Sequence, residues 1–282
     1  MKILSGNEVS KVRRQKISEE VQQLKSKKGV HPGLAVVLVG EDPASQVYVR
    51  NKGKACEQVG IQSYEYKMSA DTSANDLKLL IEKLNNDDRV HGILVQLPLP
   101  KHLNSDEVLS WINPRKDPDA LTVENMGLCW KGIARVTPCT PSGVMKILEH
   151  YKISVEGKYA VVIGRSNIVG KPMAHLLQEA NATVTICHSR TNNLQEYTQR
   201  ADIVVVAAGK PLMLGREDFK SGAVVVDVGI HRIEVNGQSK LCGDVRFDEL
   251  DGWVNAATPV PGGVGPMTIT MLLENTLKLA SL

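Results

Sequence analysis

Five short apolar runs, separated by segments of helical periodicity, constrain the possible folds of this chain most. The runs are GLAVVLVG (33–40), HGILVQLPLP (91–100), KYAVVIG (158–164), ADIVVVAAG (201–209) and GAVVVDVGI (222–230). Strands that are buried on both faces of a parallel sheet are nearly continuous in apolar residues, whereas antiparallel strands usually alternate. Helix-like segments such as 45–60 and 77–87 lie between the runs. This alternation predicts an α/β fold with open, mostly parallel sheets.

The proline- and threonine-rich stretch RVTPCTPSG (135–143) interrupts the pattern and predicts a domain boundary. A chain of 282 residues is long enough for two domains of ordinary size. In the last stretch, TPVPGGVGPMTITMLLENTLKLA (258–280), a rigid loop is predicted to lead into a final helix. This helix is much longer than the pattern of the second domain requires, so we expect it to pack on the first domain. The predicted domains are therefore 1–140 plus 266–282, and 141–265, each a sheet with flanking helices.

Composition argues against several classes of partner. The formal net charge of +3 comes from interspersed charges, which does not favour nucleic acid. No run of about 18 apolar residues is present and the polar amino terminus does not resemble a signal peptide, so we expect no membrane partner. The cysteines contain no Cys-x-x-Cys pair and the histidines have no ligand spacing, which predicts reduced buried thiols, a cytoplasmic location and no metal site. These cysteines are Cys56, Cys129, Cys139, Cys187 and Cys242.

The segment VVIGRSNIVGKPM (161–173) has features of a turn that binds a dinucleotide. Gly164 directly follows a predicted strand, Gly170 comes six residues later, and Pro172 lies just inside the next predicted helix. A tight turn of this kind presents backbone N–H groups and a helix amino terminus to a pyrophosphate, and side chains would block that approach. The spacing differs from G-x-G-x-x-G, so an ordinary strand-to-helix turn is the alternative.

The end of the next predicted strand, ATVTICH (182–188), bears on the choice between NAD and NADP. A site for NAD usually has Asp or Glu about 20 residues beyond the glycines, where the carboxylate binds the ribose 2′-hydroxyl. This chain has Ser189 and Arg190 there and no carboxylate, and Arg165 stands in the preceding turn. A hydroxyl and two guanidinium groups suit a 2′-phosphate, so we predict a Rossmann-type domain that binds NADP. Two solvated surface arginines are the alternative.

In the first domain, polar side chains lie near the predicted ends of strands, where open α/β sheets bind ligands. Tyr48 and Lys52 are four residues apart on a predicted helix and share one face. Gln96 interrupts an apolar strand, so its amide must find hydrogen-bond partners or face a cavity. Asp119 lies in the loop KDPDALT (116–122), where an aspartate can simply form a turn.

Seven segments occur in one order along the chain and together resemble the methylenetetrahydrofolate dehydrogenase/cyclohydrolase family. They are EDPASQVYVRNKGKACEQVGI, HGILVQLPLP, KDPDALT, TPCTPSG, VVIGRSNIVGKPM, ATVTICHSRT and TPVPGGVGPMT. The resemblance extends over roughly residues 36–276, and VQLPLP and PGGVGPMT are its most specific motifs. It implies an enzyme that oxidises 5,10-methylenetetrahydrofolate with NADP and then hydrolyses the methenyl product to 10-formyltetrahydrofolate.

The resemblance also implies roles for individual residues, around a folate cleft between the two domains. Lys52 matches the catalytic lysine and Gln96 its hydrogen-bonding partner. Tyr48 matches the ring that stacks on the aminobenzoate group, and Asp119 the acid that anchors the pterin. The expected substrate contacts are Tyr48, Lys52, Val95, Gln96, Leu97, Asp119, Pro261, Gly262, Gly263, Val264, Gly265, Pro266, Met267 and Thr268. The expected cofactor contacts are Gly164, Arg165, Ser166, Ser189, Arg190 and Ile230.

One position departs from the family pattern. Most members have glycine after the pterin-binding aspartate, and this chain has Ala120. If the backbone there has a positive φ, alanine is strained and the strain can tilt the Asp119 carboxylate. If φ is ordinary, the substitution has no consequence.

Other functions stay open at this point. A dehydrogenase without cyclohydrolase activity is the nearest alternative, and a dinucleotide-binding regulatory protein without catalysis is another. An amino-acid or shikimate-type dehydrogenase would lack VQLPLP and PGGVGPMT. The resemblance further implies a homodimer formed through the second domain, near the predicted strand IHRIEV (230–235).

Overall fold

The computed structural model describes residues 1–235 and 237–282 and divides the chain into two compact units. The first unit comprises Val12–Cys139 and Ile269–Leu282, and the second comprises Met1–Lys11 and Thr140–Thr268. The α-helices of the described residues are α1 (Gly6–Lys28), α2 (Pro43–Val59), α3 (Ala74–Asn85), α4 (Ser105–Ser110), α5 (Val123–Trp130), α6 (Cys139–His150), α7 (Gly170–Glu179), α8 (Leu194–Thr198) and α9 (Val264–Ser281). The strands are β1 (Lys2–Ile3), β2 (Gly33–Val39), β3 (Gln62–Met68), β4 (Gly92–Val95), β5 (Tyr159–Ile163), β6 (Thr183–Cys187), β7 (Ile203–Val206), β8 (Val224–Asp227), β9 (His231–Val235), β10 (Gln238–Cys242) and β11 (Ala256–Ala257).

The first unit contains a parallel sheet in the order β3-β2-β4. Every residue of the central strand β2 is buried, which explains its continuous apolar sequence. Helix α2 begins where the Asp42 side chain accepts a hydrogen bond from the Ser45 N–H at 2.8 Å, and it ends at Gly60, whose φ of 80° is left-handed. These two ends set the bounds of the helix that carries Tyr48 and Lys52.

The second unit contains a six-stranded sheet in the order β1-β11-β8-β7-β5-β6, and all of its neighbouring strands are parallel. The chain runs outward from β5 to β6 and then returns to β7 on the other side of β5. The carboxyl ends of β5 and β7 therefore border a topological switch point, where open α/β sheets bind ligands. The predicted α/β fold and Rossmann-type second domain are confirmed.

The amino terminus differs from the predicted division of the chain. Residues 1–11 group with the second unit because β1 pairs with β11: the Lys2 N–H donates to the Asn255 carbonyl at 2.7 Å, and the Leu4 N–H donates to the Ala257 carbonyl at 2.8 Å. A two-residue strand has no periodicity, so the sequence carried no signal for it. Residues 269–282 group with the first unit.

Two helices begin earlier than the sequence indicated. Helix α6 begins at Cys139, inside the stretch predicted to break the pattern, and α9 begins at Val264, inside the segment predicted to be a loop. Both contain a proline in the first turn, Pro141 and Pro266. The backbone nitrogen has no helical partner there, so proline is tolerated and does not mark a loop.

Candidate functional site

Lys52 and Gln96 form a direct hydrogen bond in the first unit. The Lys52 ammonium donates to Gln96 Oε1 at 2.7 Å, and the Gln96 amide nitrogen donates to the Leu97 carbonyl at 2.6 Å. Gln96 follows the buried Val95 at the end of β4, and its backbone N–H still donates to the Val37 carbonyl at 2.9 Å. The sheet therefore holds the amide with its oxygen towards the amine.

Burial governs the ionisation of Lys52 and Asp119. Loss of water lowers the pKa of Lys52, while the charges of Asp119, Cys139 and Cys56 act in the opposite direction. Loss of water also raises the pKa of Asp119, against the effects of a hydrogen bond from the Cys139 thiol and the positive charge of Lys52. Burial thus brings the pKa values of the amine and the carboxyl group closer together, because it disfavours the charged form of each.

Tyr48 lies one helical turn before Lys52 on α2 and is half buried. Burial raises the pKa of its phenol, so the ring is neutral at physiological pH. The four residues predicted from the sequence thus occupy one region of the first unit. Lys52 and Gln96 are in contact, and the charge of Asp119 acts on Lys52. Tyr48 lies on the same face of α2 as Lys52.

The loop that carries Asp119 contains the unusual alanine. Ala120 has φ of 56°, in the left-handed region, and its side chain is buried against Val136 and Leu279. Asp117 holds this loop, because its Oδ2 accepts hydrogen bonds from the Thr122 N–H at 2.7 Å and from the Asn125 amide at 3.0 Å. The strained case of the sequence prediction is therefore the one that applies.

In the second unit, the glycines of the turn after β5 allow a close approach of backbones. Gly164 has φ of 128°, and a Cβ there would overlap the carbonyl oxygen of Ala207 at the end of β7. A Cβ on Gly170 would overlap the carbonyl oxygen of Gly164 itself. The Ser166 hydroxyl accepts hydrogen bonds from the N–H groups of Val169 at 3.2 Å and Gly170 at 3.3 Å, at the start of α7. This compact turn at the switch point fits a dinucleotide pyrophosphate.

Side chains suited to a 2′-phosphate lie around this turn and after β6. Arg165, Ser166, Ser189 and Arg190 are all exposed, and neither arginine forms an ion pair within the described residues. The loop after β6 is ordered by its own contacts, because the Arg190 N–H donates to His188 Nδ1 at 3.2 Å. The guanidinium groups of Arg165 and Arg190 are therefore available to bind a phosphate group.

The segment from Pro261 to Thr268 is part loop and part helix. Pro261, Gly262 and Gly263 precede α9, while Val264, Gly265, Pro266, Met267 and Thr268 form its first residues. Gly262 has φ of 98°, and a Cβ on Gly263 would overlap the Pro259 carbonyl, so both positions require glycine. Gly265 has open space around its Cα instead. The Thr268 hydroxyl lies 3.0 Å from that of Thr140.

Comparison with known proteins decides the family. A profile described as tetrahydrofolate dehydrogenase/cyclohydrolase, catalytic domain, matches residues 4–119, and the profile of the corresponding NAD(P)-binding domain matches residues 138–282. The chain belongs to the tetrahydrofolate dehydrogenase/cyclohydrolase family.

Relatives of high identity cover nearly the whole chain. The bifunctional protein FolD of Bdellovibrio bacteriovorus is 59% identical over 278 residues, which is 99% of this chain and 96% of the relative. The crystal structure of the bifunctional enzyme FolD of Campylobacter jejuni has a TM-score of 0.95 and 50% identity, covering 100% of this chain and 99% of that one. The FolD of Trypanosoma brucei, complexed with NADP and an inhibitor, has a TM-score of 0.94 and 38% identity, covering 99% and 97%.

In this dehydrogenase/cyclohydrolase, two residues that were given no role from the sequence contact the loop of Asp119. Cys139 was assigned only a buried thiol, yet this thiol donates to the carbonyl of Pro118, the residue before Asp119, at 3.3 Å, and burial raises the pKa of the thiol well above its usual value. Asn275 of α9 donates to the carbonyls of Pro118 at 2.8 Å and Thr137 at 2.9 Å. The TPCTPSG motif was a signal for the cysteine, whereas no pattern indicated the asparagine.

The described residues, 1–235 and 237–282, contain no group of three or more His, Cys, Asp and Glu side chains placed to hold a metal ion. Within the same residues, none of the helices has the length and apolar character needed to cross a membrane.

Proposed function

We propose that this chain oxidises 5,10-methylenetetrahydrofolate to 5,10-methenyltetrahydrofolate with NADP and then hydrolyses that product to 10-formyltetrahydrofolate, in one-carbon metabolism. The observation that carries the proposal is the 2.7 Å hydrogen bond between the Lys52 amine and Gln96, beside the half-buried Asp119, in a member of this family.

For the oxidation, the chain supplies position more than acid or base. When bound, NADP accepts the hydride from the methylene carbon between N5 and N10 of the folate. The adjacent nitrogen lone pairs stabilise the resulting cation, so no strong side-chain base is required. Tyr48 stacks on the aminobenzoate ring and Asp119 anchors the pterin, and together they fix the orientation of the reacting carbon.

For the hydrolysis, Lys52 carries a proton. Water adds to the methenyl carbon, and the neutral amine of Lys52 accepts one of its protons as the new C–O bond forms. The carbon–N5 bond then breaks as the hydroxyl group of the adduct gives its proton to N5, which leaves the formyl C=O on N10. Burial lowers the pKa of Lys52, which favours the neutral amine, and Gln96 orients that amine through its side-chain oxygen.

We assign the remaining contacts to the two ligands. Folate binds to the domain of residues 1–140 plus 266–282 and NADP to the domain of residues 141–265. Beside Tyr48, Lys52, Gln96 and Asp119, the folate contacts are Val95, Leu97, Pro261, Gly262, Gly263, Val264, Gly265, Pro266, Met267 and Thr268. The turn of Gly164 and Ser166 binds the pyrophosphate, Arg165, Ser189 and Arg190 bind the 2′-phosphate, and Ile230 contacts the nicotinamide. The close backbone approach at Gly164 and the exposure of both arginines support the NADP assignment.

Lys52→Met tests the catalytic assignment. We expect hydrolysis of methenyltetrahydrofolate to be abolished while the affinity for NADP is unchanged. The matched control is Lys54→Met, because Lys54 lies on the same helix and is exposed. Unchanged hydrolysis in Lys52→Met refutes the role of Lys52. If the wild-type chain oxidises the folate without hydrolysing the product, it is a dehydrogenase only; NADP binding without either activity indicates a regulatory protein.

We also propose that the chain forms a homodimer through the second domain and acts in the cytoplasm. Among the described residues, β9 pairs only with β10, which leaves its other edge available to a second copy. All five cysteines are free and buried, as suits a reducing compartment. Sedimentation velocity tests the dimer: we expect Ile233→Lys, which places a charge on β9, to weaken it, and a monomeric wild type overturns the proposal.

A further inference from the structure

Asp244 lies at the centre of a hydrogen-bond cluster in the second unit that the catalytic scheme above does not use. Its side chain is fully buried. Oδ2 accepts from the backbone N–H groups of Ala208 at 2.7 Å and Gly209 at 3.0 Å, and Oδ1 accepts from the Lys210 N–H at 2.9 Å. Oδ1 also lies 2.7 Å from His231 Nε2. Because both oxygens of the carboxylate already accept from backbone N–H groups, we assign His231 Nε2 as the donor of this contact.

These contacts join two loops at the carboxyl ends of adjacent strands. Residues 208–210 follow β7, and the residue before them, Ala207, leaves no room for a Cβ on Gly164 in the dinucleotide turn. Residues 229–231 follow β8 and include Ile230, whose side chain is 45% exposed. A Cβ on Gly229 would overlap the Asp244 carboxylate, so this second loop also packs directly on the aspartate.

The backbone around Asp244 is held in place by a second buried carboxylate, that of Asp227. The backbone N–H groups of Asp244 and Val245 donate to the Asp227 carboxylate at 3.1 Å and 2.9 Å, and Gly229 donates to it at 2.9 Å. A Cβ on Gly243 would overlap Asp227. The carboxylate of Asp244 thus has little freedom, and any displacement of it moves both loops together.

We propose that Asp244 and His231 form a positioning pair that aligns the nicotinamide for hydride transfer, by locking residues 208–210, which border the switch point, to residues 229–231, which follow the neighbouring strand β8. This inference rests on the proposed function and assigns the pair to the oxidation alone. Hydride transfer requires reacting atoms about 3–3.5 Å apart, and a displacement of about 1 Å can lower the rate about a hundredfold. The hydrolysis needs no nicotinamide, so the pair does not serve it.

Variants of His231 test the proposal, since this side chain is partly exposed and its removal leaves the buried carboxylate with its backbone donors. His231→Ala removes the link to the second loop, and His231→Gln retains an N–H donor that can restore it. The matched control is His150→Ala, which breaks another histidine–carboxylate pair of the same unit, between His150 and Glu8.

We expect His231→Ala to lower kcat for methylenetetrahydrofolate oxidation about tenfold to a hundredfold, with hydrolysis of the methenyl compound unchanged. The deuterium isotope effect from a substrate labelled at the methylene carbon should rise, because hydride transfer becomes slower than product release. His231→Gln should recover most of the loss, and His150→Ala should match the wild type.

Two readouts do not depend on turnover. In the chain without ligand, hydrogen–deuterium exchange at residues 208–210 should be faster in His231→Ala. The fluorescence anisotropy of bound NADPH should be lower, since the nicotinamide ring is less restrained. Equal losses in both activities, a loss confined to KM for NADP, or unchanged exchange at residues 208–210 would each overturn the positioning role. A wild-type chain without either activity contradicts the proposed function instead, while faster exchange in His231→Ala would still support the link between the loops.

Discussion

The buried carboxyl group of Asp227 should make the stability of this chain depend on pH in an unusual direction. Burial raises the pKa of Asp227 from its usual 3.8 to about 6, and hydrogen bonds from the N–H groups of Val245, Asp244 and Gly229 offset this only in part. A difference of one pKa unit corresponds to about 1.4 kcal/mol, so the shift is equivalent to about 3 kcal/mol. As the pH rises, Asp227 therefore loses its proton at a lower pH in the unfolded chain than in the folded chain.

The sign follows from the protons bound by each state. Between about pH 4 and pH 6 the folded chain holds the Asp227 proton and the unfolded chain has lost it, so raising the pH favours unfolding. Asp227→Asn cannot titrate. Its amide also faces backbone donors, which costs stability by an amount that does not vary with pH.

The measurement is therefore the difference in unfolding free energy between Asp227→Asn and the wild type. We expect the wild type to lose about 3 kcal/mol relative to the variant as the pH rises from about 4 to about 7. Guanidinium unfolding at a series of pH values gives this difference, with the exposed Asp248→Asn as the control. A constant difference, or a wild type that gains stability relative to the variant, would refute the reasoning.

Three further predictions concern the ligand sites. Ala120→Gly should change the unfolding free energy by less than about 1 kcal/mol, because two opposing effects nearly cancel. Relief of about 1–2 kcal/mol of left-handed strain is offset by a lost buried methyl group of about 0.8 kcal/mol and by a more flexible unfolded chain. Urea unfolding measures the change, and a larger loss of stability contradicts the assignment of strain. Gly170→Ala should weaken NADP binding at least tenfold, which requires only about 1.4 kcal/mol of disruption, because the added Cβ overlaps the Gly164 carbonyl; calorimetry measures the affinity, and methenyltetrahydrofolate hydrolysis should persist. Asp119→Asn removes a charge that raises the pKa of Lys52, so the neutral amine of the lysine should persist to lower pH. In a plot of kcat for hydrolysis against pH, the acidic limb should therefore shift to lower pH. An acidic limb at the wild-type pH counts against the interaction between Asp119 and Lys52.

The parts of the fold that follow from patterns among neighbouring residues could be predicted from the sequence. Helix α2 has an aspartate cap, a proline in its first turn and a glycine at its end, so its bounds and the shared face of Tyr48 and Lys52 could be predicted. The same holds for Gly164, because a glycine directly after an apolar strand indicates a tight turn.

What the sequence could not reveal depends on partners far along the chain. No local sequence pattern indicates the contacts of Asp244 with residues 208–210 and with His231. An isolated aspartate that follows a glycine is more typical of a turn at the surface. The φ of Ala120 was likewise undecided, since alanine itself gives no indication of a left-handed backbone. Such long-range arrangements become visible only when the strands are placed in order.

The pairing of β1 with β11 has a consequence for biosynthesis. Lys2 is synthesised long before Ala256, so the edge of its sheet cannot close until Ala256 has been made. The first unit is likewise incomplete until residues 269–282 have been made. Neither unit can therefore finish folding before residues 256–282 have been synthesised, and partly built sheets with open edges must stay in solution until then.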